Sequence, residues 1–277
     1  MIVRSLSALV LIPLLLWLLL AGTRDMLFVL LLVASGLLLW EWLALRSRPV
    51  VLRIFLPLLG AVWVVLGTGY GGRPDWIPLE LAAILFALLV VGVAEYQRGR
   101  VVSDLAGFRF MGVLYCGLPL LLVDSIRAME HGGRLICLLL FVIWATDTGA
   151  LLAGRTWGGG KLAPDISPNK TWAGFWGGIL LGALTGLGLG IGGFVPVISP
   201  LAGGLLGVVL SFAGQIGDLV ESVLKREAGV KDTGNLIPGH GGLLDRLDSL
   251  LFAIPIFALY LRLGTNGVAA GASPFGP

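Results

Sequence analysis

Apolar residues run together in long blocks along this chain, and short stretches rich in arginine, glycine and proline separate them. Blocks close to the ~20 residues that cross a hydrocarbon layer fall at about 5–22, 26–45, 52–69, 76–94, 108–125, 135–153, 172–193, 197–220 and 248–264. The pattern predicts about nine transmembrane helices. Pro13, Pro57, Pro119 and Pro255 lie inside these blocks; membrane helices tolerate such breaks because neighbouring groups satisfy the freed carbonyls. Arg4 ahead of the first block imitates a secretion signal. The block runs on into Ala21-Gly22-Thr23-Arg24 and a second follows at once, so a retained helix is expected.

Composition agrees with this reading. The chain is 57% hydrophobic and 13% charged, with a mean hydropathy of +0.97, which assigns it to an all-α polytopic membrane class. Of its 19 basic residues, Arg4 and those in the loops after the second, fourth, sixth and eighth spans lie on one side. Only Arg24, Arg73, Arg127, Arg134 and Arg262 lie on the other. The positive-inside rule therefore predicts a cytoplasmic N-terminus, cytoplasmic even-numbered loops and a periplasmic C-terminus. The net charge of +3 is thereby a topological signal, and nucleic acid is not an expected partner. Cys116 and Cys137 sit within apolar blocks without metal-ligand spacing and read as buried, reduced thiols.

The halves differ in character. Residues 1–140 are leucine- and valine-rich helices with ordinary loops, expected to act as a scaffold with possible dimer contacts. Residues 141–264 are glycine-dense with polar residues at span ends, and are expected to hold a polar, cytoplasm-facing cavity; 265–277 reads as a flexible tail. The spacing of Gly182, Gly186, Gly188 and Gly190 suits close helix packing.

Three clusters in the second half could carry chemistry. Asp147-Thr-Gly149 with Gly154-Arg155 ends the sixth span, where an aspartate is either paired with an arginine or used. The loop Lys161–Thr171 offers Lys161, Ser167, Lys170 and Thr171, groups suited to phosphate oxygens, on a proline-stiffened backbone; its bland alternative is a solvated loop. The third is residues 214–249, with eleven charged or titratable side chains next to apolar spans. Asp218, Glu221, Ser222 and Lys225 share one helical face, as do Asp245, Asp248 and Ser249. The glycines of Pro238-Gly-His240-Gly241-Gly242, just ahead of a helix, offer N–H groups to an anion. Oxygen-only ligands suit Mg²⁺ rather than Zn²⁺. A salt-bridged interfacial loop is the non-functional alternative.

These residues also resemble a known family. Gln215-Ile-Gly-Asp218-Leu-Val-Glu221, Ser222-Val-Leu-Lys225-Arg226, Lys231-Asp232, Ile237-Pro238-Gly-His240-Gly-Gly242 and Leu244-Asp245-Arg246-Leu-Asp248-Ser249 are similar to the signature of phosphatidate cytidylyltransferases, or CDP-diacylglycerol synthases. Ser167-Pro168-Asn-Lys170-Thr171-Trp172, Asp147-Thr-Gly149 and Gly154-Arg155 extend the resemblance, which is dense over 144–250. Ala173 departs from it, where relatives often carry a polar or acidic residue, and receives no role.

The resemblance implies a transferase that converts CTP and phosphatidic acid into CDP-diacylglycerol and pyrophosphate with Mg²⁺. It also implies a homodimer among membrane lipids, and a short N-terminus without an organelle targeting signal suits an expected place in a bacterial inner membrane. Asp218, Asp245 and Asp248 are then expected to bind metal, at one ion or two. Lys170, Lys225, Arg226, Lys231 and Arg246, with Ser167, Thr171, Gly241 and Gly242, are expected to hold phosphates. His240 would donate a hydrogen bond or organise its loop, and His131 is incidental. Two alternatives remain: a cytidylyltransferase for another lipid phosphate, and an anion transporter. The transporter calls for polar groups deep in several spans, whereas here they gather at one side.

Overall fold

The computed structural model describes residues 2–46, 102–234, 236 and 241–269. Its elements are α1 (Ile2–Ala21), α2 (Arg24–Arg46), α3 (Val102–Arg127), α4 (Gly132–Thr156), β1 (Lys161–Ala163), β2 (Ser167–Thr171), α5 (Trp172–Ile191), α6 (Pro200–Glu227) and α7 (Leu244–Ala269). The spans expected at 52–69 and 76–94 lie outside the described residues, as does His240. Each of the other expected spans falls on a helix. Four of these, α2, α4, α5 and α6, are long and apolar enough to cross a membrane. α7 continues to Ala269, into the stretch expected to be a flexible tail.

Two features of α5 explain its position between α4 and α6. Trp172, Trp176, Leu180 and Leu184, spaced by four, form an exposed large-residue stripe. Gly174, Gly178, Gly182 and Gly186, offset by two, form a buried one. A helix with these two faces presents bulk to lipid and a flat surface to its neighbours. Gly186 meets the backbone of Gly203 and Gly207 on α6, Gly190 meets Pro200, and Gly188 faces open space. The packing expected of this run therefore holds for Gly182, Gly186 and Gly190. Between the helices the Thr146 and Ser211 hydroxyls are 2.6 Å apart, a polar tie at membrane depth.

Capping sets the helix ends. Thr171 accepts from the Gly174 N–H at 3.1 Å to start α5, and Ser199 accepts from the Ala202 N–H at 3.3 Å to start α6, with Pro200 in its first turn. α6 stops in a Schellman arrangement: the Gly229 N–H donates to the Arg226 carbonyl at 3.0 Å and the Val230 N–H to that of Lys225 at 2.9 Å. Gly229 takes φ +68°, a left-handed conformation that L side chains resist. Lys225 and Arg226 are thereby held in the last turn, at the negative end of the helix dipole.

The all-α expectation needs one correction. Residues 161–171, read from the sequence as a loop, form an antiparallel hairpin pairing Lys161 with Thr171 and Ala163 with Ser167. Pro164 and Asp165 occupy the centre of its turn, closed by the Ile166 N–H donating to the Ala163 carbonyl at 3.2 Å. Proline presets φ at the first central position and aspartate favours the second. Strand pairing joins residues across that turn, so the helical hydropathy pattern carried no sign of it.

Candidate active site

The hairpin lies against the end of α6, and two contacts hold it there. Arg226 Nε donates to the Ile166 carbonyl at 3.2 Å. The buried Lys170 ammonium sits 2.8 Å from Asp218 Oδ2 as an ion pair, and no other hydrogen-bond partner meets it among the described residues. Lys170 thus keeps donor capacity for another anion.

Those two residues open onto a cavity of about 600 Å³ whose polar lining includes Asp147, Arg155, Lys170, Thr171, Asp218 and Ser249. Its wall draws on α4, the hairpin, α6 and α7. Asp248, one residue before Ser249, is within electrostatic reach of Asp218 and Asp147; its Oδ1 accepts from the Ser249 N–H at 2.6 Å. Gly217 allows α6 and α7 to close at this level, because a side chain there would strike the Asp248 carbonyl and Phe252. Asp147, whose pairing was open from sequence, therefore faces the cavity alongside cationic and anionic groups.

A second cluster joins the last turn of α6 to the first turn of α7. Lys225 Nζ donates to Glu221 Oε1 at 3.0 Å and to Asp245 Oδ1 at 2.8 Å. The other Asp245 oxygen accepts from the Thr233 N–H (2.9 Å), the Thr233 hydroxyl (3.0 Å) and the Gly242 N–H (2.9 Å). Asp245 precedes the apolar span of α7. Burial pushes its carboxyl up, but the Lys225 ammonium and the Gly242 and Thr233 N–H groups outweigh burial and hold it below the usual aspartate value.

The start of α7 differs from expectation in one respect. The N–H groups ahead of this helix were expected to cradle a substrate anion. Among the described residues, the Gly242 N–H goes to Asp245, and those of Leu243 and Leu244 donate to Glu41 of α2 at 3.0 and 2.7 Å. Of the glycines expected to form the cradle, Gly242 thus has its N–H taken by a protein carboxylate, and residues 237–240 lie outside the described residues. Glu41 is a site-supporting residue that sequence reasoning missed. The signal was present: it is the sole acid in the apolar block 26–45.

The remaining expected residues divide as follows. Ser167 begins β2, and Thr171 spends its hydroxyl on the α5 cap. Lys231 and Arg246 are exposed, with Arg246 in electrostatic reach of Asp147. Gly241 takes φ +81° beside Asp245. His131 lies apart, at the start of α4. The structure thus brings Lys170 to Asp218 and Lys225 to Asp245, with Asp248 within electrostatic reach of Asp218 and Lys225.

Among the described residues no three of His, Cys, Asp and Glu converge tightly enough to enclose an ion. Magnesium does not need such a cage: it is commonly bound by one or two carboxylates plus substrate phosphates. The oxygen-only donors Asp218 and Asp248 fit that chemistry. Asp245 fits less well, because it already accepts four hydrogen bonds, whereas Asp218 has the Lys170 ion pair and one longer bond of 3.4 Å from the Ser222 hydroxyl.

Comparison with known proteins gives a concordant result. The profile described as "Cytidylyltransferase family" matches residues 2–264. The chain is 38% identical over 192 residues to a protein named phosphatidate cytidylyltransferase from Bacillus subtilis, covering 68% of this chain and 70% of the relative. It is 37% identical over 271 residues to one of the same name from Brucella suis, covering 93% and 92%. A Staphylococcus saprophyticus protein of that name is 38% identical over 205 residues, covering 73% and 76%.

Proposed function

Because the chain belongs to the cytidylyltransferase family, we propose that it joins CTP to phosphatidic acid, forming CDP-diacylglycerol and pyrophosphate. It is a nucleotidyltransferase of phospholipid synthesis. The observation that carries the reading is the cavity itself: the buried ammonium of Lys170 stands beside Asp218 and Asp147, and Asp248 is within electrostatic reach of both acids, at the ends of apolar helices. That arrangement suits polyanionic substrates, one of which arrives through the bilayer.

The chemistry is phosphoryl-type transfer. An oxygen of the lipid phosphate attacks the α-phosphorus of CTP, a new P–O bond forms, and the bond to the β-phosphate oxygen breaks to release pyrophosphate. The nucleophile is already anionic at neutral pH, so no strong base is required. The barrier lies in bringing two polyanions together, and fixed positive charge with correct orientation lowers it. Lys170 would hold one phosphate in the cavity. Lys225, held between Glu221 and Asp245, would present its remaining donor capacity towards the other side. Arg226, Lys231 and Arg246, all exposed, would draw in CTP, and His240 would donate a hydrogen bond or organise its loop. Asp218 and Asp248 would bind Mg²⁺, with Asp245 joining them if Lys225 moved aside. The bound ion supplies charge neutralisation at the phosphate oxygens.

The same reading gives a multi-pass protein of a bacterial inner membrane, with the hairpin and the α6–α7 junction cytoplasmic and the C-terminus periplasmic. It extends to a homodimer, to residues 1–140 as scaffold, and to 141–264 as the catalytic region. The test is transfer of labelled CTP into lipid by detergent-purified protein, with phosphatidic acid and Mg²⁺, against EDTA and against Asp218→Asn. Metal-dependent CDP-lipid that the variant fails to make supports the reading. CTP binding without product from phosphatidic acid points to another lipid phosphate acceptor. Absence of CTP binding by folded protein overturns it.

A further inference from the structure

Glu41 is 4% exposed and lies near the end of α2, far in sequence from the groups described above. Its carboxylate accepts from two consecutive backbone N–H groups, Leu243 and Leu244, at 3.0 and 2.7 Å. Those groups would otherwise be orphan donors at the start of α7, so Glu41 caps a helix from another part of the chain. Its second oxygen also lies 3.4 Å from the Thr233 hydroxyl, which is 3.0 Å from Asp245. Asp245 in turn holds Lys225, and Lys225 holds Glu221. One polar chain therefore runs from α2, through α7, to α6.

The next residue fixes the base of this chain. Trp42 is 2% exposed, and its indole N–H donates to the Phe108 carbonyl at 2.9 Å. Its ring stacks on Phe108 at 5.0 Å and tilts against Tyr115 at 5.4 Å. Tyr115 reaches the Asp248 carbonyl at 3.4 Å. Glu41 is thus held by a packed aromatic cluster, and the room around it is tight: side chains at Gly234 or Gly242 would run into its carboxylate.

We propose that Glu41 is a positioning residue, which sets where α7 begins and so fixes Asp245, and through it Lys225, for the transfer reaction. This rests on the function proposed above. A carboxylate suits the task because it accepts from both N–H groups at once. A glutamine would present an amide donor to one of them, and an aspartate is one methylene shorter.

The test compares wild type with E41Q, E41D and T233V in detergent, using CTP, phosphatidic acid and Mg²⁺. Amide exchange at Leu243 and Leu244 is read alongside steady-state kinetics, normalised to folded protein. Expected are faster exchange in E41Q and a kcat reduced roughly 10- to 100-fold, with both KM values within about threefold. T233V should show a smaller kcat loss, and the E41Q/T233V double variant should be no slower than E41Q, because both act through one network. A purely structural cap would lower the yield of folded protein and leave kcat per folded molecule unchanged; that result overturns the proposal. KM increases at unchanged kcat overturn it equally. If E41Q does not fold, unchanged kcat in both T233V and E41D overturns it. If wild type forms no CDP-lipid, the proposed function fails, and exchange at Leu243 and Leu244 unaltered by E41Q would sink the positioning role as well.

Discussion

Lys225 Nζ lies 2.8 Å from Asp245 Oδ1, joining the last turn of α6 to the first turn of α7 through a pair whose side chains are 14% and 5% exposed. Glu221, fully buried, sits 3.0 Å from the same ammonium. The lysine therefore neutralises two carboxylates where water has little access. Removing it leaves both acids uncompensated, a loss of about 3–5 kcal/mol for a buried pair. K225M should lower stability by that order and turnover by more than tenfold. K225M/E221Q should recover much of the stability without recovering turnover. Denaturation in detergent and CDP-lipid assays separate the two effects.

Lys170 tests the cavity. Its ammonium pairs with Asp218 at 2.8 Å and helps to hold the hairpin on α6, so K170A should cost stability as well as activity, and its kinetics are normalised to folded protein. A charged hydrogen bond is worth about 1.5–3 kcal/mol, which corresponds to a fall of roughly 10- to 100-fold in kcat/KM. K170R should retain part of it. Steady-state kinetics varying CTP and lipid separately will show which substrate loses the contact. An unchanged kcat/KM for both would remove Lys170 from the site.

The Asp245 carboxyl is held below its usual value, and this has a consequence for stability with a definite sign. The folded state favours the ionised form more than the unfolded chain does, so the stabilisation is fully present above the unfolded value of about 3.9. It is lost as pH falls through the lower folded value. Thermal stability of wild type should therefore drop on acidification below about pH 4. D245N, less stable at neutral pH, should lack this component of the drop. Melting curves between neutral and acidic pH check it.

Gly229 ends α6 at φ +68°. G229A should destabilise the protein by about 1 kcal/mol, and G229N by less, since asparagine tolerates this conformation better. Both should reduce turnover, because the carbonyl that receives the Val230 N–H belongs to Lys225. Unfolding curves paired with activity measure the two effects together.

Much of this protein was readable from its residues one after another. The apolar blocks located the described helices, because transfer of a 20-residue segment into hydrocarbon depends on that segment's own composition. The glycine run of α5 announced close packing, since the faces of a helix follow from its 3.6-residue period. Clustered charge at 214–249 singled out the site and its family, because charge next to apolar spans needs a partner.

Pairing was not readable in the same way. Periodicity places Asp245 and Asp248 on one face, but not that Asp245 is taken up by Lys225, Thr233 and Gly242 while Asp248 lies within electrostatic reach of Asp218. Nor does it place Glu41, which meets Leu243 and Leu244 across 202 and 203 residues. Hydropathy and helical period are properties of a segment, so the sequence determined the helices, their lipid-facing sides and the charged stretch. Hydrogen bonds and ion pairs depend on which helix ends the packed bundle brings within about 3 Å. Packing alone brings carboxylates of the protein itself to the N–H groups of Gly242, Leu243 and Leu244.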